Sequence, residues 1–223
     1  MSGCASGRLV VALAEVPASP PERRAEGRRR QTGIGRNLAR EAAARLNHCR
    51  GADFRVGGGG DSRPVLATSP AHAQDTAIAI SHSGKWVCAA AICGQAGLGI
   101  DVQAIERRDV LRLVEFMHWT GLLGPPAGDQ QSDLDRFTQL WTLWEAAVKC
   151  DGGTVFAAST PAFESLSRLC HPGAEQSWSA GGYWAQSTRL DQRHWLTLVA
   201  ACPAPPYLDV FHVDKSVAAA WQA

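Results

Sequence analysis

Little in this chain ties it to a membrane, to an oxidising compartment or to a hydrolase. Its most apolar stretch, Trp86 to Ile100, is broken by Gln95 and three glycines and is too short to span a bilayer. Near the N-terminus, Leu9 to Ala14 is apolar for only six residues before Glu15, which argues against a secretory signal. The seven cysteines, at 4, 49, 88, 93, 150, 170 and 202, are odd in number and lack C-x-x-C spacing, so neither a disulfide framework nor a zinc site is indicated. We therefore expect a cytoplasmic protein with idle thiols. No G-x-S-x-G elbow occurs, and no internal repeat is visible.

With 223 residues, 45% of them hydrophobic and 19% charged, the chain can bury one or two ordinary cores. Net charge is only +1, but its distribution is uneven: residues 1–50 hold ten arginines against four glutamates, with Arg28, Arg29 and Arg30 consecutive. Such a cluster fits a solvated arm, a nucleic-acid contact, or a basic face for an anionic ligand or partner.

Hydrophobic spacing sketches the elements. Leu134, Phe137, Leu140, Trp141, Trp144 and Val148 recur at three- and four-residue intervals, predicting a helix over 133–151. A second helix is expected near 107–118, and an Ala-rich one from Asn37 to Leu46. Strands are expected near 8–13, 53–57, 77–82, 86–93, 97–102, 183–189 and 194–201. Gly51 to Pro64 and Gly121 to Ser132 read mainly as loops.

Three segments carry chemistry. On the helix over 133–151, Glu145 and Lys149 stand four apart and share a face, as a surface ion pair or as part of a site. In Gly99-Ile100-Asp101-Val102-Gln103, strand alternation puts Asp101 and Gln103 opposite the apolar residues, either solvated or functional. Ala77 to Trp86 is a strand running through Ser81-His82-Ser83-Gly84, a plain hairpin tip or one that offers phosphate donors. Neighbours on a strand face opposite ways, so Ser81 and His82 do not read as a nucleophile and its base. Two carboxylates and an ammonium within reach of each other suit one divalent cation and one phosphate.

Taken in order, Ser81-His82-Ser83-Gly84, Gly99-Ile100-Asp101-Val102-Gln103 and Trp141-x-x-Trp144-Glu145-Ala146-x-x-Lys149 resemble the 4'-phosphopantetheinyl transferases, in particular the larger type with two halves in one chain. Fainter likenesses are Ser62-Arg63-Pro64 and the Arg28 to Arg40 stretch. The resemblance implies an α+β fold of two similar, pseudo-twofold-related halves, 1–104 and 105–223, with the active site between them. It implies a monomeric holo-[acyl-carrier-protein] synthase that moves the phosphopantetheine arm of coenzyme A onto a serine of an acyl or peptidyl carrier, in polyketide or non-ribosomal peptide synthesis.

The resemblance also implies roles. Asp101 and Glu145 would hold Mg²⁺, with Gln103 a weaker third contributor. Glu145 and Lys149 would be catalytic. Arg30, Arg63, Ser81, His82 and Lys149 would bind coenzyme A, with Ser81 and His82 on its 3'-phosphate. The acidic helix of a carrier would meet the loop at 121–132; no nucleic acid or membrane partner is expected. Departures from the pattern are Trp144 in place of a lysine, Gln103 in place of an acid, the absence of a glutamate within Phe116 to Gly121, and only part of a glycine-bearing turn at Gly152-Gly153. Each removes charge or a turn residue, which leaves open a homologue that binds without transferring.

Overall fold

The computed structural model describes residues 7–17, 24–59, 62–73, 75–94, 97–106, 110–153 and 159–221; the side chain of Arg63 lies outside them. Among the described residues, ten strands and six α-helices form an α+β fold: β1 (Arg8–Glu15), α1 (Arg24–Asn47), β2 (Arg55–Gly59), β3 (Ser62–Thr68), β4 (Thr76–Ser83), β5 (Trp86–Cys93), β6 (Leu98–Ala104), α2 (Val110–Phe116), α3 (Thr120–Leu123), α4 (Gln130–Cys150), α5 (Pro161–Ser167), β7 (Gln176–Ala180), β8 (Tyr183–Asp191), β9 (His194–Ala200), β10 (Tyr207–Val213) and α6 (Lys215–Ala220). One sheet has the order β10-β1-β5-β4, a second β6-β9-β8-β7, and β2 and β3 pair separately.

Alternation explains the layers. In β1, Val10, Ala12 and Ala14 pack with Ile34, Leu38, Ala42 and Ala43 of α1. Leu9, Val11 and Leu13 turn the other way and pack with Leu98, Ile100 and Val102 of β6 and Leu196 and Leu198 of β9. Beyond the second sheet, α4 covers its far face through Phe137, Leu140, Leu143 and Ala147, with Ala185 and Val199. The strand at 98–104 lies before the 104/105 division read from the sequence and yet belongs to the second sheet, while β10 returns to the first, parallel to β1. Asp209 of β10 holds it there, bound by Arg8 of β1 and by Arg45 of α1 at 2.9 and 3.0 Å.

Helix ends are set locally. At the end of α1, His48 takes a φ of 54° and the Cys49 N–H donates to Ala44 at 2.9 Å, a Schellman closure. The Asp129 side chain caps α4, accepting from the Ser132 N–H at 2.8 Å. Gly152 ends it with a φ of 71°, and the Gly153 N–H closes onto Val148 at 2.9 Å. The Gly152-Gly153 remnant is thus a complete helix stop.

Four expectations change. Helix α1 begins at Arg24, so Arg28 to Arg30 are helical rather than a loose arm. The stretch from Gly51 holds a short 3₁₀ turn and most of the β2–β3 hairpin rather than a loop. Within 121–132, helical residues at both ends leave only a short linker, 124–129. Strand β10, absent from the sequence reading, forms the edge of the first sheet.

Candidate active site

Where β4 of one sheet passes β6 of the other, four of the residues singled out in the sequence meet. Gly97, just before β6, and Gly99 and Asp101 on it lie two residues apart in turn and all face α4. A β-carbon built on Gly97 would lie 2.4 Å from the Cys150 carbonyl oxygen, and one on Gly99 1.8 Å from that of Ala146. Those glycines let the helix backbone rest on the strand, which brings Glu145 and Lys149 down to Asp101.

Asp101 is 2% exposed. Its Oδ1 accepts from Lys149 Nζ at 2.6 Å and from Ser81 Oγ at 2.8 Å. Lys149 also donates to the Ile100 carbonyl at 3.0 Å and lies 3.8 Å from Glu145 Oε2. Glu145 Oε1 accepts from Trp141 Nε1 at 2.7 Å. Asp101 Oδ2 is buried and without a hydrogen-bond partner among the described residues.

The electrostatics follow from this crowding. Burial, then the Asp101 charge beside it, push the Glu145 carboxyl up to about 7, although Lys149 and Trp141 oppose the shift. Burial works against the Lys149 ammonium, but Asp101 and Glu145 outweigh it and raise its pKa. Lys149 therefore stays charged, while Glu145 exchanges its proton near neutrality.

His82 follows Ser81 on β4 and faces the opposite way, as alternation requires. It is exposed; loss of hydration first, then the positive charges of Lys149 and Arg28, lower its pKa. Ser81 is buried among the carboxylates, so the structure does not bring the two side chains to a common point. Arg28, rather than Arg30, is the arginine whose charge reaches His82. Two residues turn a helix by about 200°, and Arg30 is half-buried with its Nε unpartnered among the described residues. Arg63 lies on β3, with its side chain outside the described residues. Gln103 is partly exposed on the Asp101 face of β6, about 7 Å further along.

Trp144 is 4% exposed and belongs to an aromatic cluster, 5.1 Å from Trp141 and 6.0 Å from Trp119 between ring centroids. The indole is core, so no cation reaches the site from that position. Sequence reasoning missed Trp141 as the residue that holds Glu145; their four-residue spacing on one helix was the available signal. It also missed Gly97, whose two-residue spacing from Gly99 and Asp101 was equally open to view.

No family model matches the chain. Over 73 residues it is 32% identical to 4'-phosphopantetheinyl transferase gsp of Aneurinibacillus migulanus. The chain is similar to a 4'-phosphopantetheinyl transferase. That match takes in 33% of this chain and spans 30% of the relative's length. It supports a transferase of this kind.

Proposed function

We propose that the chain transfers the 4'-phosphopantetheine arm of coenzyme A to a serine of an acyl or peptidyl carrier protein and releases 3',5'-ADP. The observation that carries the reading is the convergence of Asp101, Glu145 and Lys149 from a strand and a helix far apart in sequence. The order of strands supports the larger, two-halves type. Each sheet contains a strand, then a long helix, then an antiparallel hairpin, laid out as first, third, second: β1-β5-β4 and β6-β9-β8.

The donor set fits Mg²⁺. Oxygen ligands from two carboxylates are what this hard ion takes beside phosphate and water, and an orphaned carboxylate oxygen such as Asp101 Oδ2 calls for a partner. Among the described residues no third His, Cys, Asp or Glu joins them as a metal-holding group. Asp101 Oδ2 and Glu145 Oε2 would hold the ion, with Gln103 near enough along β6 to act through water. Bound Mg²⁺ would neutralise the diphosphate and favour phosphoryl transfer.

The chain's own groups supply the rest. Glu145, fixed at Oε1 by Trp141, would take the serine proton through a water beside the cation. The serine oxygen bonds to the β-phosphorus of coenzyme A as the bridging oxygen leaves with 3',5'-ADP. Lys149 offsets the charge on that leaving group. Arg28 supplies the positive charge and His82, neutral, a ring N–H for the 3'-phosphate. The exposed linker at 124–129 is the surface for a carrier helix.

Release of 3',5'-ADP from coenzyme A, dependent on both carrier and Mg²⁺ and lost in Asp101→Ala and Glu145→Ala, is the expected result. Full activity in either variant would refute the assignment. Coenzyme A binding with no release on any carrier would favour a second reading, a binding homologue, which the burial of Trp144 in place of a cation supports.

A further inference from the structure

Ser81 has a chemistry that a phosphate contact would not use. β4 and β6 are edge strands of different sheets and share no backbone ladder. Two serine hydroxyls close the seam instead: the Val102 N–H donates to Ser81 Oγ at 3.2 Å and the Ala104 N–H to Ser83 Oγ at 3.1 Å. Without them these N–H groups on β6 would lack acceptors, a costly state for a buried backbone.

The two serines then differ. A hydroxyl has one proton to give, and Ser81 gives it to Asp101 Oδ1 at 2.8 Å, while accepting from Val102 fixes its orientation. Lys149 donates to that same oxygen at 2.6 Å. The hydrogen bonds from Lys149 and Ser81 thus both fall on Oδ1, and Oδ2 is buried with no donor among the described residues except the neighbouring Glu145 carboxyl when that is protonated. Ser81 is 7% exposed, and a phosphate, an acceptor, would need the hydroxyl proton that Ser81 already directs at Asp101.

We propose that Ser81 is a positioning residue for the metal carboxylate. Its hydroxyl, anchored on Val102, locks the rotation of Asp101 so that Oδ2 faces the cation. This rests on the cation site proposed above. It divides the Ser-His pair between two ligands, with Ser81 acting on the cation through Asp101 and His82 acting on the anion directly.

The test measures two affinities of the free protein: Mn²⁺ by electron paramagnetic resonance without coenzyme A, and 3',5'-ADP by calorimetry in EDTA. Partners of metal ligands carry about 10–100-fold in affinity, so Ser81→Ala should bind Mn²⁺ at least about tenfold more weakly and 3',5'-ADP as the wild type does. His82→Ala should do the reverse, and Ser81→Thr, which keeps the hydroxyl, should restore Mn²⁺ binding. Ser83→Ala loosens the same seam without touching Asp101 and should keep Mn²⁺ affinity. Unchanged Mn²⁺ affinity in Ser81→Ala, equal weakening in Ser83→Ala, or loss of 3',5'-ADP binding in Ser81→Ala would each overturn the proposal. Should Ser81→Ala not fold, the near-isosteric Ser81→Cys, a poor donor, carries the same comparison. A wild type that binds no Mn²⁺ would remove the cation site itself, and this role with it.

Discussion

Replacing Gly99 with alanine puts the close approach of α4 and β6 to a quantitative test. The added β-carbon would meet the Ala146 carbonyl oxygen at 1.8 Å, the Ala146 carbonyl carbon at 2.8 Å and the Cys150 nitrogen at 2.9 Å, all backbone of α4. A normal contact is roughly 3.5 Å, so the helix must retreat by roughly 1.7 Å. The 2.6 Å bond from Lys149 to Asp101 would then open to about 4 Å, beyond hydrogen-bonding distance. Overpacking of this kind costs about 1–3 kcal/mol of stability, and misplacing catalytic groups by about 1 Å costs on the order of 100-fold in rate. Urea unfolding and 3',5'-ADP release measure the two losses on one preparation. Gly33→Ala is the control: nothing lies within 4 Å of its added carbon and it sits inside α1, so it should stabilise by about 0.5–1 kcal/mol. Wild-type stability and rate in Gly99→Ala would refute the claim that the glycine spacing sets the site.

Three further outcomes follow from the same geometry. Trp144→Lys removes a buried indole and buries a charge in its place; thermal unfolding should show a loss of at least about 3 kcal/mol, and a stable, faster enzyme would contradict its placement in the core. Glu145, held at about 7 against an ordinary 4.5, contributes stability that is present below pH 4.5 and lost as pH rises through about 7. The difference is about 3 kcal/mol. His82, held low, opposes it below pH 6.5, so the comparison is made against Glu145→Gln: in metal-free urea titrations from pH 5 to 8 the variant should gain relative to wild type as pH rises, and parallel curves would count against the crowding of the two carboxylates. Trp141→Phe deletes the bond to Glu145 Oε1 and should lower kcat more than it raises KM for coenzyme A; a change in KM alone would place Trp141 in binding rather than in holding Glu145.

Much of the fold was legible because its signals are local. The periodic apolar face over 133–151 became α4, and the expected strands at 77–82 and 86–93 became β4 and β5. What escaped depends on partners distant in the chain. β10 pairs in parallel with β1, from the opposite end of the sequence, and its Tyr207 and Val210 are exposed, so no strong apolar alternation marks it. The first turns of α1 are dominated by arginine and glycine, with no apolar stripe, and β2 carries a run of glycines that reads as a turn. At the site, Glu145 and Lys149 were legible from helix spacing, and Asp101 from strand alternation and the resemblance. Ser81 was picked out by the resemblance, as a phosphate contact, but its bonds to Asp101 and Val102 were not legible, because they cross a seam between sheets that no sequence period encodes.

The most direct measurement is the intact mass of a recombinant acyl carrier protein after incubation with this chain, coenzyme A and magnesium. A gain of one phosphopantetheine group on the carrier's serine, absent in EDTA and in Asp101→Ala, is the expected result. A panel of fatty-acid, polyketide and peptide carriers that all stay unmodified, with the wild-type chain folded and magnesium present, would contradict transfer at the Asp101–Glu145 site.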